Sequence, residues 1–164
     1  GSIGSATVQI AKVFGAIVTG VCSSSNMELV KSFGADNVFD GTKENFTENG
    51  QTYDVILDVS GKPSSIQFKH SLTKRGFYLT TYPTISILFQ TFWTSFFNGK
   101  KVVFMATAFK PVSVRLAFLK ELIILFKEGK LRTIIDQSFQ LEQMVEAHRY
   151  IERRLERGNI VVTI

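Results

Sequence analysis

The chain has 164 residues, 45% of them hydrophobic and 20% charged, which suffices for one domain with a substantial core. Its formal net charge of +5 is spread along the chain, and the densest basic group, at 148–157, alternates with glutamates. That pattern is typical of a solvated helix face, so we expect no nucleic-acid partner.

The longest uncharged apolar stretch, Ile85–Phe97, is too short to cross a bilayer, so we expect no membrane partner and interpret it as a buried or interface helix. The single cysteine, Cys22, excludes an intrachain disulfide framework and favours a reducing, cytoplasmic location.

The N-terminal quarter alternates helix-like and strand-like segments. Apolar residues at helical spacing and β-branched runs predict a helix, a strand, a second helix and a second strand, at 6–14, 16–21, 26–33 and 37–40. Gly15 and Gly34 stand where the two helices should stop, and Asn26 is a candidate N-cap of the second. This order is that of strand–helix–strand units.

The alternation continues to the C-terminus. The run YDVILDV at 53–59 predicts a strand buried on both faces, and Pro63 suits the first turn of the helix after it. Two more strands are predicted at 76–82 and 100–109, followed by a long helix that ends at Gly129. The last third predicts an extended piece, a helix and a strand, at 131–139, 141–156 and 159–164. Strands alternating with helices predict an α/β fold with a doubly wound parallel sheet.

Two glycines, Gly1 and Gly4, open the first predicted helix. In a dinucleotide-binding unit such glycines let the backbone approach the pyrophosphate, and the helix N-terminus attracts the anion. Two glycines without a preceding strand fit a plain helix start about as well. The next strand ends near Val21 without an acidic residue in VCSSSN, where an NAD-specific unit presents one to the ribose. This favours NADP as the cofactor, with NAD not excluded.

Several segments together carry a family resemblance. The segments GSIGSATVQIAKVFGAIVTGVCSSSN, LVKSFGADNVFD, YDVILDVSG, LTKRGFYLT and FQLEQMVEAHRYIERRLERGNIVVTI resemble, in order, the cofactor lobe of the medium-chain dehydrogenase/reductase superfamily, in its zinc-independent quinone oxidoreductase-like branch. The resemblance implies a Rossmann-like nucleotide-binding domain over 1–164 that lacks its first strand. Residues 131–164 would return toward an N-terminal catalytic lobe outside the chain. We therefore expect a fragment whose terminal strand, at 159–164, finds no native partner.

The resemblance also implies a cofactor groove. Ser2, Ile3 and Gly4 are expected at the pyrophosphate, and Ser23, Ser24 and Ser25 at the adenine ribose with its phosphate. Val59, Ser60 and Gly61 are expected along the adenosine, and Thr81 and Tyr82 near the nicotinamide. Many relatives carry Lys or Arg at the position of Ser25 and Tyr at that of Gly41, where they grip the 2′-phosphate. This chain lacks both groups.

No catalytic residue is expected in this chain. His70 and His148 stand alone, Cys22 has no partner at metal-ligand spacing, and Asp54 and Asp58 flank one strand, so we predict no zinc site. The resemblance implies hydride transfer from NADPH to a quinone or to the β-carbon of an enone, with the substrate held mainly by the other lobe. The chain alone is therefore expected to be inactive.

The strand at 100–109 comes last in the parallel series, so we expect it at the sheet edge. An apolar edge either pairs with another chain or is covered by the 85–97 segment or the following helix. Relatives commonly dimerise through this edge, and the resemblance implies a homodimer through Lys101–Ala108, centred near Phe104. Two other classes remain open: a non-catalytic nucleotide-binding or oligomerisation module, and a basic nucleic-acid-binding protein.

Overall fold

Helices and parallel strands alternate along residues 1–60, 68–153 and 158–164, the part of the chain that the computed structural model describes. In chain order the elements are α1 (Ser2–Val13), β1 (Thr19–Cys22), α2 (Met27–Ser32), β2 (Asn37–Asp40), β3 (Tyr53–Asp58), β4 (Leu72–Thr80), α3 (Ile85–Ser95), β5 (Lys101–Phe104), α4 (Val112–Lys127), β6 (Ile135–Gln140), α5 (Met144–Glu152) and β7 (Asn159–Thr163). The chain divides into two units, one formed by 1–44 with 118–164 and the other by 45–117. The α/β fold with parallel sheets is confirmed.

The first unit contains two parallel strand pairs. β1 pairs with β2 from Thr19 opposite Asn37 to Cys22 opposite Asp40. β7 pairs with β6, in a register that shifts once near Ile135. The expectation that the terminal strand has no partner was therefore wrong. β6 lies in the same chain and offers a parallel edge, so the backbone groups of β7 are hydrogen-bonded within the chain.

Two turns of the first unit follow the glycine signals. Gly15 and Gly34 have φ angles of 76° and 97°, so they stop α1 and α2 in the left-handed region, as predicted. Asn26 is the residue before α2, but its side chain makes no capping hydrogen bond. Helix α1 begins at Ser2, four residues earlier than predicted. Gly1 is therefore the N-cap residue of α1, and Gly4 lies in its first turn.

The second unit is a three-stranded parallel sheet in the order β3–β4–β5. Its buried core consists of Ile56, Leu72, Tyr78 and Ile87. Against it packs a row of aromatic rings, in which Phe68 stacks on Phe46 at 5.5 Å and on Tyr78 at 5.1 Å between ring centroids. The interior of this unit is thus built around aromatic contacts.

The second unit differs from the sequence-based predictions in the burial of β3 and the end of β5. β3 is not buried on both faces, because Val55 keeps 54% of its surface exposed. β5 ends at Phe104 rather than at 109, because the N–H of Ala106 turns back to Phe104 O and a 3-10 turn follows at Thr107–Phe109. The helix predicted from Pro63 lies outside the described residues. None of the helices described is long and apolar enough to cross a membrane.

Candidate functional site

The first predicted site group lies in the opening turn of α1. Ser2 and Ile3 are exposed and Gly4 is half-buried. The first N–H groups of a helix lack intrahelical acceptors, and no acidic side chain stands in this turn. Such a helix start attracts an anion through its N–H groups and its dipole. The placement suits a phosphate.

The second group forms the β1–α2 loop, Ser23–Asn26, which follows the carboxyl end of β1. Ser23 Oγ lies 3.1 Å from Ser25 Oγ and accepts a hydrogen bond of 3.1 Å from the side-chain amide of Asn26. Ser24 instead donates its hydroxyl proton to Asp40 Oδ2. The loop thus presents a row of hydroxyl groups, and it contains no charged side chain.

Asp40, at the end of β2, is the anchor of this loop. It is only 5% exposed, and besides the Ser24 hydroxyl it accepts the backbone N–H of Thr42 at 3.0 Å. The Lys43 ammonium lies 3.4 Å from Asp40 Oδ2. The hydroxyl groups of Ser24 and Thr42, which donate to the carboxylate, hold the pKa of Asp40 well below its usual range, so the group is ionised at neutral pH.

Sequence reasoning missed Asp40 and Lys43. The available signal was an acid at the carboxyl end of the strand neighbouring β1, because carboxyl ends of parallel strands share one sheet edge. Gly41 next to them is tightly enclosed. Its N–H donates to Cys22 O at 2.8 Å, and a Cβ placed on it would lie 2.9 Å from Val21 Cγ1.

In the second unit, the candidate residues follow β3 and β4. Asp58 Oδ1 accepts both the backbone N–H and the hydroxyl of Ser60, at 2.8 and 2.7 Å, and its Oδ2 accepts the Tyr78 hydroxyl at 2.8 Å. The N–H of Thr81 donates to Asp58 O at 3.4 Å. The N–H···O contact between Thr81 and Asp58 therefore brings the 59–60 turn and the 81–82 turn together. Gly61 lies outside the described residues.

The Asp58–Tyr78 pair is buried, with Tyr78 2% exposed. Burial, and next the hydrogen bond to the carboxylate, raise the pKa of Tyr78 well above its usual value, so the phenol stays protonated. Asp58 therefore fixes the turn after β3 from inside the unit. Asp54, near the start of the same strand, is exposed and accepts the Thr73 hydroxyl at 3.0 Å.

The remaining titratable candidates are two histidines and the cysteine. His70 and His148 are exposed. Cys22 is half-buried at the end of β1, and burial raises the pKa of its thiol. Within the described ranges, no three His, Cys, Asp or Glu side chains are grouped so that they could hold a metal ion.

Comparison with known proteins identifies the family to which the chain belongs. Residues 33–162 match the family model of the zinc-binding dehydrogenase domain. The chloroplastic quinone-oxidoreductase QR1 of Triphysaria versicolor is 32% identical over 151 residues, which cover 90% of this chain and 45% of that protein. The chain therefore spans about half the length of the curated relatives it matches.

Solved structures of quinone oxidoreductases have a similar fold. The quinone oxidoreductase of Coxiella burnetii superposes with a TM-score of 0.75 at 25% identity, covering 99% of this chain and 50% of that one. The Escherichia coli quinone oxidoreductase, complexed with NADPH, superposes with a TM-score of 0.78 at 21% identity, covering 100% and 54%. The second likeness concerns the fold alone.

Proposed function

Because the chain belongs to the zinc-binding dehydrogenase family of the medium-chain dehydrogenase/reductase superfamily, we propose that it is the cofactor-binding domain, over 1–164, of an NADPH-dependent quinone or enone oxidoreductase. Its relatives are named quinone oxidoreductases and enoyl reductases. The share of the activity assigned to this chain is the binding and orientation of the nicotinamide cofactor. Residues 131–164 would lead toward a catalytic lobe of the kind that fills the other half of the relatives.

The observation that carries the proposal is the β1–α2 loop. Where an NAD-specific unit offers an acid to the ribose, this loop offers Ser23, Ser24 and Ser25. The Ser23–Ser25 pair has one hydroxyl proton that can be donated to a phosphate oxygen, and the Asp40 carboxylate beside the loop is occupied by the Ser24 and Thr42 hydroxyls. The opening turn of α1, at Ser2, Ile3 and Gly4, is assigned to the pyrophosphate. The loop supports NADP more than NAD.

In the second unit, Val59, Ser60, Thr81 and Tyr82 are assigned to cofactor contacts, as is Gly61 from the sequence alone. The double acceptance of Ser60 by Asp58 Oδ1 fixes the turn after β3, and the Tyr78 hydroxyl holds the second carboxylate oxygen. The chain's own residues thus orient backbone groups rather than move protons. When bound, the nicotinamide supplies the hydride. We assign no catalytic residue and no zinc ligand to this chain.

Calorimetric titration with NADPH and NADH tests the cofactor assignment. We expect NADPH to bind more tightly than NADH. Equal or tighter binding of NADH would overturn the choice of NADP, and failure of both nucleotides to bind would overturn the cofactor-binding role itself.

The substrate side is proposed from the relatives. We expect NADPH oxidation by this chain alone, with a benzoquinone or an enone, to stay at background, since orienting the substrate accounts for several kcal/mol of the barrier. Turnover above background would show that this half positions the substrate too. The single cysteine supports a reducing compartment, for which we propose the cytoplasm.

We further propose a homodimer through the Lys101–Ala108 edge. β5 ends the sheet of the second unit. Helix α3, which contacts β5, and the two residues after it expose five aromatic rings: Phe89, Phe92, Trp93, Phe96 and Phe97. The N–H of Val102 already donates to Thr94 Oγ1 at 3.1 Å. A second copy would therefore pair with the strand only beyond Val102, and α3 would supply most of the contact.

A further inference from the structure

We propose that Lys43 selects the 2′-phosphate of NADPH, in place of the charged clamp that Ser25 and Gly41 cannot provide. The inference rests on the proposed cofactor-binding function and names a residue for it. It concerns the first unit only, where β1 and β2 end side by side and the β1–α2 loop presents its hydroxyl groups.

The Lys43 ammonium group and the Ser24 hydroxyl both contact one oxygen of Asp40. Asp40 Oδ2 accepts the Ser24 hydroxyl and also lies 3.4 Å from Lys43 Nζ. The ammonium and the Ser24 hydroxyl are therefore two neighbours of a single atom. A phosphate that accepts from the Ser23–Ser25 hydroxyl pair, which flanks Ser24 in the same loop, comes within reach of Lys43, whose flexible four-carbon stem allows it to follow the ligand.

The backbone keeps Lys43 at this place. The N–H groups of Lys43 and Glu44 both donate to Asp40 O, at 3.0 and 2.9 Å, so the chain closes a tight turn directly after β2. Gly41 ties the same turn to the end of β1 through its bond to Cys22 O. The lysine is thus presented from a fixed turn rather than from a free loop.

Charge explains why a cation is needed here. Asp40 is buried and ionised and holds the Ser24 hydroxyl, so a phosphate bound at the neighbouring Ser23–Ser25 pair would lie near that carboxylate. Two anions at such a separation repel each other unless a cation lies between or beside them. The Lys43 side chain is 71% exposed, whereas Asp40 is buried and also accepts the hydroxyl groups of Ser24 and Thr42, so the ammonium can lie beside a phosphate while the carboxylate keeps its other donors.

The test compares Lys43→Met with a matched control, Lys31→Met. Lys31 also forms an i,i+3 ion pair of 3.4 Å, with Glu28, but lies in the last turn of α2, at the end away from the β1–α2 loop. Dissociation constants for NADPH and NADH are measured by calorimetry for both variants and the unmodified protein. Lys43→Met should weaken NADPH by about tenfold, the worth of one charge-assisted hydrogen bond, and leave NADH unchanged. Lys31→Met should alter neither value, and Lys43→Arg should retain the preference for NADPH.

The outcomes distinguish failure of the Lys43 role from failure of the proposed cofactor-binding function. If the unmodified protein prefers NADPH and Lys43→Met keeps that preference, the role of Lys43 is overturned while the cofactor assignment stands. If the unmodified protein binds neither nucleotide, the proposed function fails. Thermal unfolding of Lys43→Met should match that of the unmodified protein, which shows that the variant is folded. If the folded variant then loses affinity for NADPH and NADH equally, Lys43 does not select the phosphate.

Discussion

The side-chain amide of Gln9 forms two hydrogen bonds with the backbone of Arg132, from Nε2 to the carbonyl at 3.0 Å and from the N–H to Oε1 at 2.9 Å. Gln9 is 6% exposed, on α1, and Arg132 lies shortly before β6. One side chain therefore satisfies both backbone groups of a residue 123 positions away. This contact connects the two sequence segments of the first unit.

Replacing Gln9 by Met keeps the volume and removes both hydrogen bonds. We expect the free energy of unfolding to fall by about 2 kcal/mol, since two backbone groups lose their partner. Urea unfolding measures the change, with Gln137→Met, at an exposed position on β6, as the control. Equal stability of the two variants would mean that water replaces the amide at Arg132.

The Asp58–Tyr78 pair predicts loss of stability at alkaline pH. The pKa of Tyr78 is raised in the folded state above the ordinary 10.0, so its contribution is complete below pH 10 and is lost as the pH rises further. Tyr78→Phe should remove this alkaline loss and cost about 1–3 kcal/mol at neutral pH, because Asp58 Oδ2 loses its donor.

Absorbance titration of the phenols against pH, together with urea unfolding, checks that prediction. Tyr82→Phe is the control, because Tyr82 is 47% exposed and its phenol lies outside the buried core. If Tyr78 titrates together with the exposed tyrosines, the buried hydrogen bond is not present in solution.

Asp40 predicts the opposite pH dependence. Its pKa is lowered from the ordinary 3.8, so its stabilising contribution is present above that value and is lost as the pH falls below it. Asp40→Asn should be less stable than the unmodified protein at pH 7, and the difference should shrink as the pH approaches 3. Unfolding monitored by circular dichroism across this pH range checks the trend, and a constant difference would contradict it.

Gly158 is enclosed by backbone. A Cβ on this residue would lie 2.5 Å from Ile134 O, the oxygen to which Asn159 donates its N–H at 2.7 Å. Gly158→Ala should destabilise the protein by about 1–3 kcal/mol, since the start of β7 must move away from that carbonyl. Gly99→Ala is the control, with nothing within 4 Å of its added Cβ. Similar thermal stabilities for both variants would contradict the packing at β7.

The proposed dimer is best tested on α3 rather than at Phe104. Phe104 packs against the core of the second unit, so a charge there would unfold the protein before it reported on association. Trp93 is 56% exposed, with its ring between those of Phe89 and Phe97. Trp93→Lys should shift sedimentation from dimer to monomer, while Phe14→Lys, at an 82% exposed position of the first unit, should not. A monomeric unmodified protein at tens of micromolar would refute the proposal.

Local sequence signals were sufficient for the order of elements and for several of their ends. The strand at 37–40 and the helix stops at Gly15, Gly34 and Gly129 were predictable because short apolar segments and left-handed glycines act through neighbouring residues alone. The family resemblance likewise rests on short motifs, and it correctly led to the α/β fold with parallel strands.

Contacts between distant residues could not be inferred in this way. The sequence does not say that β7 pairs with β6, that Gln9 meets Arg132, or that β5 ends where Ala106 turns back to Phe104. The same holds for the site, where Ser24 and Asp40 are 16 residues apart and join only because β1 and β2 run parallel and end together. Which donor meets which acceptor depends on strand register and turn closure, and these follow from the packing of the whole chain rather than from any one segment of it.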